Sequence, residues 1–268
     1  MEGAAAAAPP PKKMRRLEPA AIAGVMSREL ANFRTYWKGT TFSSVLEPIV
    51  YLLAFGLGLS ATLVDEVDGV PYIEFVGTGM VATAVIFSSA LPAMFGTFVK
   101  HRFQNTYEAI LAAPVDVEEL VSAEMLWIGM RAGIYGCIPL LVTIAFGLDP
   151  APGMLLVPLF CFVTALGFAG FGVAMAATVA KIDQFNYVTA LFVTPLFLVA
   201  GTFFPIDGLP EGVQVVAQLN PLLQLVELVR GGAFGFEAVD LARFAYLVAF
   251  SLITWRVAVS RMSKRLID

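Results

Sequence analysis

Histidine and cysteine are almost missing from this chain: His101, Cys137 and Cys161 are all that 268 residues contain. A zinc site needs several such ligands at short spacing, and a His-assisted nucleophile needs a histidine beside it. A single histidine in a polar, basic stretch supplies neither, so a zinc protease and a serine-type membrane protease are excluded. Both cysteines fall within apolar runs, which implies no disulfide framework. No G-x-x-x-x-G-K-[ST] loop occurs, so nothing in this chain can cradle ATP for hydrolysis, and no cofactor or metal site is expected. Charge is scarce as well. Only 14% of residues are Asp, Glu, Lys or Arg, against 58% hydrophobic, and the mean hydropathy is +0.79. That leaves too little polar surface to cover a water-soluble core.

The apolar residues are organised in six runs near the roughly 20 residues a bilayer span requires: Phe42–Val64, Tyr72–Val99, Met125–Phe146, Met154–Val179, Phe185–Phe204 and Leu241–Ser260. Lys and Arg mark the inner side. They cluster before the first run (Lys12, Lys13, Arg15, Arg16, Arg28, Arg34, Lys38), between the second and third (Lys100, Arg102), at Lys181, and at the end (Arg256, Arg261, Lys264, Arg265). The alternate connections are acidic, with Asp65, Glu66, Asp68, Glu74 and Asp149. The net charge of −4 averages these two sides. The expected fold is an all-α integral membrane protein of six spans with both ends inside, multi-pass in the cell membrane. The opening sixteen residues have alanines ahead of the basic cluster and no apolar core after it. That order does not match a secretory signal, and residues 1–19 read as a disordered inner tail.

Residues 20–40 form a candidate amphipathic helix lying at the membrane surface. Ile22, Met26, Leu30, Phe33 and Trp37 recur at steps of three and four, with Ser27, Arg28, Asn32, Arg34 and Lys38 mostly elsewhere on the wheel. It serves either as an anchor or as a platform for an inner partner. The six-span domain follows over 41–268. Its main inner excursion is 100–124, where a helix over Thr106–Ala112 must stop before Pro114. Asp116 then caps a second helix carrying Glu118 and Glu119 in its first turn. Two short helices about a proline make an elbow.

The outer segment 205–238 is apolar but broken by Pro-Gly punctuation and again at Asn220-Pro221, so it cannot cross as one helix. Within it Glu227 and Arg230 can pair three residues apart, lining an exit or solvating a surface face. Glu47 and Arg131 each lie about 9 Å inside their runs from the inner side. Matched depth points to an intramembrane ion pair; the alternative is separate snorkelling. Glycines such as Gly167, Gly170 and Gly172 would permit close helix approach. The middles of the second, fourth and fifth runs hold no ionisable group, which weighs against an ion-coupled carrier, the competing transporter reading.

Three stretches carry a family likeness: Tyr107–Glu124 (YEAILAAPVDVEELVSAE), Glu47–Leu59 (EPIVYLLAFGLGL) and Phe203–Gly231 (FFPIDGLPEGVQVVAQLNPLLQLVELVRG). With these in order from about Ala20 onward, the chain resembles the permease subunits of type-2 ABC exporters, in the nodulation-protein-J and drug-exporter branch. One departure is Gln224, where many relatives have histidine. The resemblance implies a half-transporter that dimerises with a second permease copy and binds a separate ABC ATPase, on which ATP and Mg would sit. It further implies an amphipathic or hydrophobic cargo, a lipid-linked saccharide or drug, and no nucleic-acid partner. It maps the ATPase contact onto Tyr107, Glu108, Leu111, Pro114 and Glu118. It makes the outer segment, with Asn220, Pro221, Glu227 and Arg230, a re-entrant helical hairpin before the last span.

Overall fold

The computed structural model describes residues 17–57, 66, 67 and 69–267; for residues 45, 47, 48, 56, 57 and 267 it describes the backbone alone. The tail expected over the first sixteen residues lies outside that description. Helix α1, Pro19–Tyr51, is followed directly by a π-helical stretch, Leu52–Leu57. A two-residue hairpin, β1 Glu66–Val67 with β2 Val70–Pro71, precedes α2, Tyr72–Arg102. Then come α3 Thr106–Leu111, α4 Val117–Gly136, α5 Ile138–Ala145 and α6 Val157–Thr178. The last third holds α7 Phe185–Val188, α8 Thr194–Leu198, α9 Glu211–Gln218, α10 Pro221–Phe234 and α11 Ala238–Ile267.

Helix α6 is the axis of the bundle, packing against α2, α4 and α11. Small residues let it do so. A Cβ placed on Gly172 would lie 2.5 Å from Ala93 Cβ and 2.7 Å from Ala90 O, so α6 meets α2 at backbone distance. Gly172→Val should therefore destabilise by roughly 1–3 kcal/mol through overpacking. Gly24→Ala, with nothing within 4 Å of the added Cβ, should not. Thermal unfolding of the two variants in detergent checks this; equal midpoints would mean that α2 and α6 can part without cost.

The perimeter of the bundle is apolar. Leu155 is 82% exposed, Ile134 and Leu191 69%, and Ile253 63%, which suits hydrocarbon and not water. Among the described residues four helical stretches are long and apolar enough to cross a membrane: Tyr72–Arg102, Val117–Ala145, Pro152–Thr178 and Ala238–Leu266. A bent pair, α9 with α10, makes up to five. The expected count of six departs from this at two places. The first run, Phe42–Val64, extends into residues outside the description. The fifth, Phe185–Phe204, is helical only to Leu198, in pieces of four, five and five residues with a π-helical middle. That covers roughly 20 Å, short of a hydrocarbon core about 30 Å thick.

The boundary placed at residue 40 is not a break either. Helix α1 runs through it for 33 residues, about 50 Å. Its sequence between Trp37 and Phe42 (WKGTTF) has a glycine but no proline or capping residue pair to stop a helix. The apolar face assigned to this part also divides in two. Ile22, Met26 and Phe33 pack on the bundle with Val25, whereas Leu30 and Trp37 are exposed.

Candidate functional site

The elbow is seated by a few polar contacts and one large ring. Its two helices form where proline and capping chemistry require, α3 ending at Leu111 ahead of Pro114 and α4 starting after Asp116. Asp116 and Glu119 make a capping box, with Asp116 N–H donating to Glu119 Oε2 at 2.9 Å. The other oxygen of Glu119 accepts Glu18 N–H at 2.7 Å. One buried carboxylate thus caps the start of α4 and the start of α1 together. Trp255 Nε1 donates to Ser122 Oγ at 2.9 Å, tying α4 to α11 as well.

The five mapped elbow residues do not share one surface. Tyr107 is 1% exposed and lies against His101, ring centroids 6.1 Å apart. It anchors the elbow and is not part of the surface presented outward, because its ring fills the space between α3 and the end of α2. Leu111 is partly buried against the same core. Glu108 and Pro114 are exposed and Glu118 half-exposed.

Beside the elbow, three helices meet through buried charge. Lys100 Nζ on α2 bonds Glu29 Oε2 on α1 at 2.9 Å and Glu124 Oε1 on α4 at 2.8 Å. Arg28 Nη1 holds the other Glu29 oxygen at 2.8 Å. Glu29 and Glu124 are only 4% and 3% exposed. This triad escaped the sequence reading, although a signal was present: Val25, Glu29 and Phe33 lie at four-residue steps on one helix face. An acid in the middle of a buried face demands a buried partner. The same helices line a cavity of about 620 Å³ that includes Arg28, Glu124, Trp127 and Arg131. Arg131 is there, half-buried, with its Nε enclosed and unbonded among the described residues. The side chain of Glu47, its expected partner, lies outside the described residues.

At the opposite end of the bundle, α9 and α10 meet at 80°. Asn220 makes the bend. Its Oδ1 accepts Leu222 N–H at 3.0 Å, capping α10, and its Nδ2 donates to Leu196 O at 2.7 Å. Pro221 follows at the first helical position, where its missing N–H costs nothing. Gln224 reaches back across the bend to Gln218 O at 2.7 Å. The pair of Glu227 and Arg230 forms, at 3.5 Å, but within a larger clasp. Arg230 Nη2 donates to Gly201 O at 2.8 Å and Phe75 O at 3.3 Å, and its guanidinium lies 3.8 Å from the Phe75 ring centre. Glu227 also pairs with Arg243 at 3.3 Å, and Arg243 with Asp240 at 2.6 Å. Arg243, at the start of the last long helix, is thereby tied to α10.

A helical bundle with an apolar perimeter, buried inter-helix charge at one end and a bent helix pair at the other is a multi-pass membrane protein. Its sequence matches the ABC-2 type transporter family over residues 21–234, and the chain belongs to that family. It is similar to nodulation protein J of Sinorhizobium fredii, 28% identical over 237 residues that cover 87% of this chain and 90% of that protein. Nodulation protein J of Rhizobium leguminosarum bv. trifolii is 29% identical, covering 86% and 90%. The inner membrane transport permease YadH of Escherichia coli is 25% identical, covering 90% and 96%. The chain is a transporter permease.

Proposed function

We propose that this chain is the membrane-spanning half of an ATP-driven exporter in the cell membrane. A separate ABC ATPase, carrying ATP and Mg, would dock on the cytoplasmic elbow, and a second permease copy would complete the pathway. The observation that carries this reading is the seating of the elbow. Glu119 caps α1 and α4 at once and Tyr107 locks α3, so a push on Glu108 or Pro114 reaches two long helices without slack. In this reading the chain crosses six times with both ends inside. The first half of α1 lies along the inner surface, and α9–α10 is a hairpin re-entering from outside. Large apolar side chains left uncovered on α1 and near α7, Phe42 at 66%, Val50 at 53% and Tyr187 at 75%, favour a second copy. The sparse internal charge favours an amphipathic or hydrophobic cargo, a lipid-linked saccharide or drug.

Co-purification tests this with an ABC ATPase co-expressed from the same organism. Wild-type chain should retain it in stoichiometric amount. Glu108→Arg with Pro114→Asp should lower retention roughly tenfold, the effect of about 1.4 kcal/mol, without changing the yield of the chain. Proton-gradient-driven transport by the isolated chain would instead establish an ion-coupled carrier.

A further inference from the structure

Glu124 and Arg131 line the cavity between α1, α2 and α4, and each carries an enclosed polar atom with no partner among the described residues. Glu124 Oε2 is an acceptor; its sister oxygen is taken by Lys100. Arg131 Nε is a donor. Both belong to α4, seven residues apart and hence on one helix face, roughly 10 Å along the axis. Buried polar groups are almost always satisfied, so a matched orphan donor and acceptor on two residues that line one space of about 620 Å³ point to a ligand that reaches them from it. The cavity wall also includes Trp127 and Phe95, apolar surface for hydrocarbon, and its rim includes the exposed Asn32.

We infer that this cavity binds the headgroup of a membrane phospholipid that carries both a phosphate and a primary ammonium, the phosphoethanolamine class. Arg131 takes the phosphate and Glu124 the ammonium. A phosphate alone would satisfy Arg131 and leave Glu124 Oε2 orphaned beside new negative charge. A quaternary choline has no N–H to give. A glycerol headgroup offers neutral hydroxyls, weaker than an ammonium against a carboxylate. The inference concerns resident lipid and does not rest on the ATPase or on the cargo, so it can fail or hold independently of the proposed function.

Native mass spectrometry of the full chain released from detergent, titrated with phosphatidylethanolamine, phosphatidylglycerol and phosphatidylcholine, tests it. The ethanolamine lipid should bind at least roughly tenfold more tightly than the choline lipid, the factor set by one hydrogen bond to a charged group. Glu124→Gln should erase that preference, whereas Arg131→Gln should weaken both lipids and leave their ratio unchanged. Arg131→Lys, which keeps the charge, should retain most of the binding. Asn32→Trp, which fills the rim without touching the buried charges, should lower occupancy even if the α4 variants fail to fold. Equal binding of the three lipids, or a preference that survives Glu124→Gln, would overturn the assignment. Full competition by millimolar soluble phosphoethanolamine would assign the site to a free phosphoester and overturn the lipid.

Discussion

Lys100→Met is expected to cost roughly 3–5 kcal/mol, because it leaves Glu124 buried with no countercharge among the described residues and Glu29 with only the partly exposed Arg28. Few single substitutions act on three helices at once; this one removes a contact that links α1, α2 and α4 through a single atom. The thermal midpoint in detergent should fall by roughly 10 °C for a chain of this size. A triple variant, Glu29→Gln, Lys100→Met and Glu124→Gln, should recover much of the loss, since it removes the charges along with their partner. Lys38→Met, at an exposed position of α1, is the reference. A drop at Lys100 no greater than at Lys38 would mean that water reaches the triad and screens it. The triad also bears on coupling. It binds the first half of α1 to the helices that enter and leave the elbow, so loosening it should uncouple any partner's push from the bundle.

Arg230→Met should be the next most damaging change, by roughly 3 kcal/mol. It removes two hydrogen bonds to the carbonyls of Gly201 and Phe75, a ring contact and one carboxylate partner. The consequence should be local before it is global. Glu227 keeps Arg243, so α10 stays tethered to α11 but loses its hold on the start of α2 and the turn after α8. A cysteine at Leu222, fully buried in the parent chain, should then react several-fold faster with a membrane-impermeant maleimide added outside. Arg230→Lys should be intermediate, because an ammonium keeps the charge and loses the planar fork. Unchanged reactivity at Leu222 in the Met variant would show that the Asn220 cap holds the bend unaided.

Much of this was legible beforehand, for identifiable reasons. Long apolar runs announce membrane helices because hydrocarbon leaves a backbone little choice but to bond within itself. Pro114, Asp116 and the Asn220-Pro221 pair punctuate the chain through local chemistry that needs no neighbours. Helices α3 and α4 therefore stop and start on either side of Pro114, and α9 and α10 bend at Asn220-Pro221. What was not legible depended on distant partners. Nothing local to Tyr107 says that it faces inward, and Glu227 with Arg230 looks like an ordinary surface pair until Phe75 and Gly201 arrive from elsewhere in the chain.

The sequence by itself determined that this is an apolar helical bundle and where its helices break. Those follow from composition, from proline and glycine, and from capping, all properties of a residue and its near neighbours. The tertiary structure alone decided which scattered charges meet. Lys100 chose Glu29 and Glu124, and Arg230 chose two carbonyls, because α6 packs closely enough on its neighbours to bring remote helix faces together. In a low-dielectric interior each such charge must find a partner, but only the packing determines which one.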